Sequence, residues 1–232
     1  MKIRFILVTL IIATVFSLTG CAFPFAKKKT PTNPPVEMKE VILAPVVSDL
    51  SSVTHSQLEK AGEILLSRLG KADISGTSFY VNDDKTILLK LPAHKYTPEI
   101  EELLLTAGKV EFLDADGNVC LDSRGNIKRA DAMYGQLYEG GENVHYVQIT
   151  FTPRGRKAFA EATEKAVTAG AGKNYIAVAV DDAYQMAPTV NEVIDSDTCI
   201  LTGNYTAEDA KMIAIIISYN HLPYEFVISD AQ

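Results

Sequence analysis

Apolar residues recur along this chain with two periods, and the change from one to the other marks its elements. Leu58, Ala61, Leu65 and Leu69 form one helical stripe. Thr54-His55-Ser56-Gln57 precedes them as a capping box, and Gly70 closes the stripe. Residues 40–47, around Val41-Ile42-Leu43, read as a strand before this helix. Residues 77–81 and 86–91 read as two strands after it, joined by Asn82-Asp83-Asp84-Lys85, with Ile87, Leu89 and Leu91 on one face. Thr97 and Pro98 open a second helix whose inward residues are Ile100, Leu103, Leu104 and Ala107, and Gly108 ends it. With a strand at 109–113, the order over residues 38–113 is β-α-β-β-α-β. That order predicts a ferredoxin-like base, two helices covering one face of an antiparallel sheet.

The second half continues as α+β. A flexible turn, Glu139-Gly140-Gly141-Glu142, leads into a strand at 144–151 in which Val147, Ile149 and Phe151 alternate with Gln148 and Thr150. Thr152-Pro153 starts a helix with Ala158, Phe159, Ala162 and Ala166 inward, stopped at Ala169-Gly170-Ala171-Gly172. A buried strand at 175–180 follows, then the polar turn Asp181-Asp182, Met186-Ala187-Pro188, and an apolar run, Cys199-Ile200-Leu201. Thr202 to Thr206 opens a last helix, over 207–219, with Ala210, Ile213, Ala214 and Ile217 inward, which stops at His221-Leu222-Pro223. Residues 114–222 thus read as a second α+β subdomain, and residues 223–232 as a C-terminal strand or tail. Tyr184, Gln185, Met186 and Val190 lie beside Ala187-Pro188, in a segment that proline keeps from regular helix. Two readings stay open for it: an adaptable apolar surface for extended polypeptide, or filling of the subdomain core.

The amino terminus adds a targeting signal. Lys2 and Arg4 precede an apolar run from Phe5 to Leu18, and Leu18-Thr19-Gly20-Cys21 fits a lipoprotein signal peptide over residues 1–20, with Cys21 lipidated. An uncleaved membrane helix is the competing reading, though the run is short and holds Thr9, Thr14 and Ser17. Residues 21–37 contain four prolines and Lys27-Lys28-Lys29, the composition of an extended tether beside a membrane. The lysines there suit anionic headgroups or are simply solvated.

Charge and motif content narrow the function. The formal net charge is -7, and residues 1–20 carry two of the cations and no acid, so the body is more acidic still. With no clustered Lys and Arg in that acidic body, nucleic acid is not expected as a partner. The four histidines, His55, His94, His145 and His221, have no metal-ligand spacing. Asp114-Ala115-Asp116-Gly117-Asn118 alternates carboxylates as a calcium loop does, but its glycine comes early and position twelve is Gly125, so a turn explains it better. Asp122 to Asn126 reads as a second turn. Asp83-Asp84 and Asp181-Asp182 are neighbours in turns, not carboxylates facing across a cleft. No nucleophile elbow, Walker loop or dinucleotide fingerprint occurs, so neither a catalytic site nor a cofactor is expected. Cys120 and Cys199 are expected outside the membrane, where a disulfide is permitted, but spacing does not say whether they meet.

The stretch YIAVAVDDAYQMAPTVNEVIDSDTCILTGNYTAEDAKMIAIIISYNHLP resembles the end of the first periplasmic domain of SecD and SecDF. That family shows an apolar strand, Asp-Gly, Ser-Ala-Pro, Ile-Thr-Gly-Asn-Phe-Thr, an Ala-rich helix and Leu-Pro. RLGKADISGTSFYVNDDKTILLKLPAHKYTPEIEELLLTAGKVEF and VQITFTPRGRKAFAEATEKAV resemble earlier stretches of it, so the likeness spans roughly residues 54–224. This chain departs at Ala93-His94, where the family has a glycine turn, and at Tyr184-Gln185-Met186, where the family has a small Ser. The resemblance implies a non-enzymatic accessory of protein translocation with unfolded or translocating polypeptide and Sec channel subunits as partners; combined with the lipoprotein motif at Cys21, the expectation is a chain lipid-anchored on the extracytoplasmic face of the cell membrane. The resemblance assigns substrate handling to the subdomain over 114–222, and there the tolerant apolar side chains beside Pro188 suggest polypeptide contact at Tyr184, Gln185, Met186 and Pro188. The chain ends at Gln232, where the family enters its next membrane helix, so a stand-alone domain is expected. The competing reading is an envelope interaction lipoprotein that keeps the fold and binds a partner unrelated to Sec.

Overall fold

The computed structural model describes residues 36–219 and 221–229. Cys21, the expected signal peptide and the lysines of the expected tether lie outside them. The chain runs β1 (Met38–Pro45), α1 (His55–Lys71), β2 (Ser78–Val81), β3 (Ile87–Pro92), α2 (Pro98–Leu105), β4 (Val110–Leu113), β5 (Val119–Asp122), β6 (Ile127–Gln136) and β7 (Asn143–Phe151). It continues as α3 (Pro153–Ala169), β8 (Ala177–Val180), β9 (Ala183–Met186), β10 (Thr198–Tyr205), α4 (Ala207–Ser218) and β11 (Phe226–Ser229). The fold class is mixed α+β with antiparallel sheets, as expected.

The first sheet has the order β11-β1-β3-β2, the antiparallel order of a ferredoxin-like sheet. Leu43, Ile87, Leu89 and Leu91 are fully buried against Leu58, Leu65 and Leu69 of α1 and Leu103 and Leu104 of α2. The expectation that residues 109–113 supply the fourth strand of this sheet is corrected. That place belongs to β11, which pairs with β1 from Ile42↔Ser229 to Pro45↔Phe226. β4 forms where expected but pairs with β5 and β8 instead. The chain leaves α2 through Gly108, whose φ of +83° suits glycine, and the Asp181 carboxylate accepts from Gly108 N at 2.9 Å and Lys109 N at 2.7 Å. These bonds hold the start of β4 beside β8.

The remaining strands form two sheets, β5-β4-β8-β9 and β10-β7-β6. Phe112, Phe151 and Phe159 cluster between them, the last two stacked with centroids 5.0 Å apart. Thr152 caps α3 on Gly155 N, and Pro153 occupies its first turn. The last helix starts at Ala207, as expected, and Thr202 to Tyr205 before it extend β10. Thr206 is the N-cap, in a full capping box with Asp209. α4 is buried on two sides: Ala210, Ala214 and Ile217 face the core of the two later sheets, while Ile215 and Ile216 enter the core under the first. No helix of the described residues is long and apolar enough to cross a membrane.

Candidate functional site

The polar turn expected at Asp181-Asp182 is the tip of a two-residue hairpin joining β8 and β9. Both aspartates have positive φ, +47° and +64°, and Val180 pairs with Ala183 across the turn, the geometry of a type I′ hairpin. Asp181 N also donates to Lys109 O at 2.9 Å. Turn chemistry therefore accounts for this acid pair. It accounts for Asp114 as well, whose carboxylate accepts from Asp116 N and Asn118 N, while Asp116 pairs with Lys173 at 2.6 Å. Among the described residues no cluster of His, Cys, Asp and Glu is arranged to hold a metal ion.

Beyond the turn the chain is more regular than expected. Tyr184, Gln185 and Met186 belong to β9, an edge strand whose one hydrogen-bonded neighbour is β8. Val178 pairs with Met186 and Ala179 with Tyr184, which leaves Gln185 as the extra residue of a β-bulge. An edge strand presents backbone donors and acceptors on its outer side, and a bulge re-aims its side chains. Tyr184 is 70% exposed. Met186 is half-buried on the core behind it. Gln185 Nε2 donates to Ala183 O at 3.2 Å. Pro188 is exposed and accepts from Ile176 N at 3.3 Å through its carbonyl. Val190 is buried, so of this group it is the core filler.

Two open grooves flank β9. One, of about 450 Å³, is walled by the β4–β5 turn at Asp114 and Gly117 and by Tyr175, Tyr184 and Met186. The other, of about 480 Å³, lies between α2, the start of α4 and the inner side of the β8–β9 hairpin. Gln185 borders both. Tyr205 borders the second, its hydroxyl buried without a hydrogen-bond partner and its pKa raised by burial.

Arg68, which carries no motif, is the largest fully buried side chain among the described residues. Its guanidinium donates to Leu103 O at 3.3 Å, Thr106 O at 2.5 Å and Ala107 O at 2.9 Å, the carbonyls at and just past the end of α2. A cation there complements the negative end of the helix. Burial lowers its pKa to about 10, and Asp181 opposes that shift. Ala107 O also accepts from Leu222 N at 2.8 Å, so Arg68 sits where the two crossings between the first sheet and the rest meet. A single arginine within an otherwise apolar helix face is the signal that marks it. Cys120 and Cys199 are unpaired thiols, and burial raises both pKa values, that of Cys199 to about 12.

Comparison with known proteins gives a consistent relationship. The family described as SecDF, P1 head subdomain, matches residues 124–224. The protein translocase subunit SecD of Dictyoglomus turgidum is 25% identical over 171 residues, 74% of this chain and 40% of that protein. SecD of Calditerrivibrio nitroreducens is 35% identical over 81 residues, 35% of this chain and 15% of that one. The chain therefore spans less than half the length of these relatives. Among solved structures, a chain from "Structure and function of a membrane component SecDF that enhances protein export" superposes with a TM-score of 0.69 at 19% identity, covering 84% of this chain and 99% of that chain. SecDF in its super-membrane-facing form superposes with a TM-score of 0.70 at 20% identity, covering 88% and 32%. By name and title these are components of protein translocation and export. Residues 124–224 thus match the SecDF P1 head subdomain family, and the described residues share the fold of SecDF chains and are similar in sequence to SecD.

Proposed function

We propose that this chain is a lipid-anchored, extracytoplasmic accessory of protein translocation that engages unfolded polypeptide along the outer edge of β9. The observation that carries the reading is the position of β9: a bulged edge strand within the matched head subdomain, with a groove on either side. Added-strand pairing uses main-chain hydrogen bonds and so tolerates many sequences, and Tyr184 and Met186 add apolar contact of the same tolerance. The Sec channel subunits are the natural partners of such a module, as the relatives' names indicate for those proteins. The anchor is Cys21, after Leu18-Thr19-Gly20.

Two experiments test the two parts. A photo-crosslinker at Gln185 is expected to capture exported chains in transit, and one at the exposed Lys60 on α1 far fewer. Equal capture at both positions, or none at Gln185 during active export, contradicts the polypeptide role and favours a fold kept for another envelope partner. Mass spectrometry of the mature amino terminus is expected to show a diacylglyceryl Cys21, lost in Cys21→Ser. An unlipidated chain beginning at Met1 rules out the anchor.

A further inference from the structure

The groove between α2 and the start of α4 is one-sided in charge. Val180, Met212, Ile213 and Ile216 make it apolar. Glu99, Glu102, Asp181, Glu208 and Asp209 border it, and no Lys, Arg or His does. Three of these acids are engaged locally: Asp181 on Gly108 and Lys109, Asp209 in the α4 capping box, and Glu99 on Thr97. Glu102 and Glu208 are exposed and form no ion pair among the described residues. The neighbouring lysines are already paired, Lys211 with Asp73 at 2.7 Å and Lys109 with Glu111 at 3.0 Å.

We infer that this groove selects, among the polypeptides engaged at β9, segments in which lysine or arginine alternates with aliphatic residues. The inference rests on the polypeptide reading above and names the substrate class for it. A strand added to β9 sends alternate side chains to opposite faces, so every second residue enters this groove and the others enter the groove beside Tyr184. Main-chain pairing is indifferent to sequence; the charge of the rim is not. The methylene stem of a lysine or arginine lies on Met212 and Ile213 while its cationic head reaches the free carboxylates of Glu102 and Glu208. A glutamate in the same place faces five acids with no counter-charge.

The test uses the full-length chain and fluorescence anisotropy with three twelve-residue peptides, in which valine and serine alternate with Lys, Gln or Glu. The Lys peptide is expected to bind about tenfold or more tighter than the Glu peptide, with the Gln peptide between, and the gap is expected to shrink at high salt. Glu102→Gln with Glu208→Gln is expected to weaken the Lys peptide about three- to tenfold and to strengthen the Glu peptide, while Glu63→Gln on α1 changes neither. Equal affinity for all three peptides overturns this inference and leaves the polypeptide reading intact. So does discrimination that survives the double substitution. Failure of every peptide to bind, together with no capture at Gln185, overturns both.

Discussion

Arg68 buries a full positive charge with no carboxylate in contact, an arrangement that persists because three backbone carbonyls surround its guanidinium. Arg68→Met keeps most of the volume but strips the donors from Leu103, Thr106 and Ala107. The expected loss is ~2–4 kcal/mol of unfolding free energy, read from urea melts of the full-length chain. Unchanged stability would mean that water replaces the guanidinium. Asp181 and Asp182 make a sharper pair. Both pay for left-handed backbone, but only Asp181 returns two charge-assisted hydrogen bonds. Asp182→Gly is therefore expected to stabilise by roughly 0.5–1 kcal/mol and Asp181→Gly to destabilise by about 2 kcal/mol, in the same melts. His221 adds a pH term. Burial, and then Arg124, hold its pKa below the ordinary value of 6.5, and its Nδ1 has no hydrogen-bond partner. A folded-state pKa below the unfolded one means that the unfolded chain takes up the proton first. The contribution of His221 is thus fully present above about pH 6.5 and is lost as pH falls through the lower folded value. His221→Gln is expected to flatten the decline in stability from about pH 7 to 5, and an unchanged slope would remove His221 as its source.

The helices were legible because each carries its own signals: Thr54, Thr97 and Thr152 all cap as expected, and the stripes through Leu58, Leu65 and Leu69, and through Phe159 and Ala162, are buried. α4 was legible on one side alone. Ala210, Ala214 and Ile217 were expected inward, but Ile215 and Ile216 are buried as well, because the helix serves two cores and has apolar residues around most of its girth. β6 was missed altogether. Its sequence, IKRADAMYGQ, buries just Ala130 and alternates nothing; it is held by pairing with β7 and by Ser218 Oγ, which donates to Ala130 O and accepts from Ala130 N at 2.9 Å each. Such a strand is specified by its neighbours, not by its own pattern. β9 was placed at the right residues but read as irregular, since four residues before Ala187-Pro188 are too few to show a period of two. The pairing of β4 with β8, and of β11 with β1, was beyond reach for another reason: partner choice depends on where the chain returns, which local pattern does not encode.

The first sheet is closed by a strand that comes after the whole head subdomain, so α1, α2 and both crossings share one hydrogen-bonded centre at Ala107. α4 links the two cores through its two buried sides. In the proposed function, the outer edge of β9, at one end of the second sheet and with a groove on either side, is where a foreign strand pairs. Hydrogen exchange read by mass spectrometry tests that claim most directly, on the full-length chain with and without a saturating unfolded polypeptide. The account predicts slowed exchange across 183–189, with the edge of the first sheet at β2 unchanged. No slowing at 183–189, or equal slowing at both edges, would contradict it.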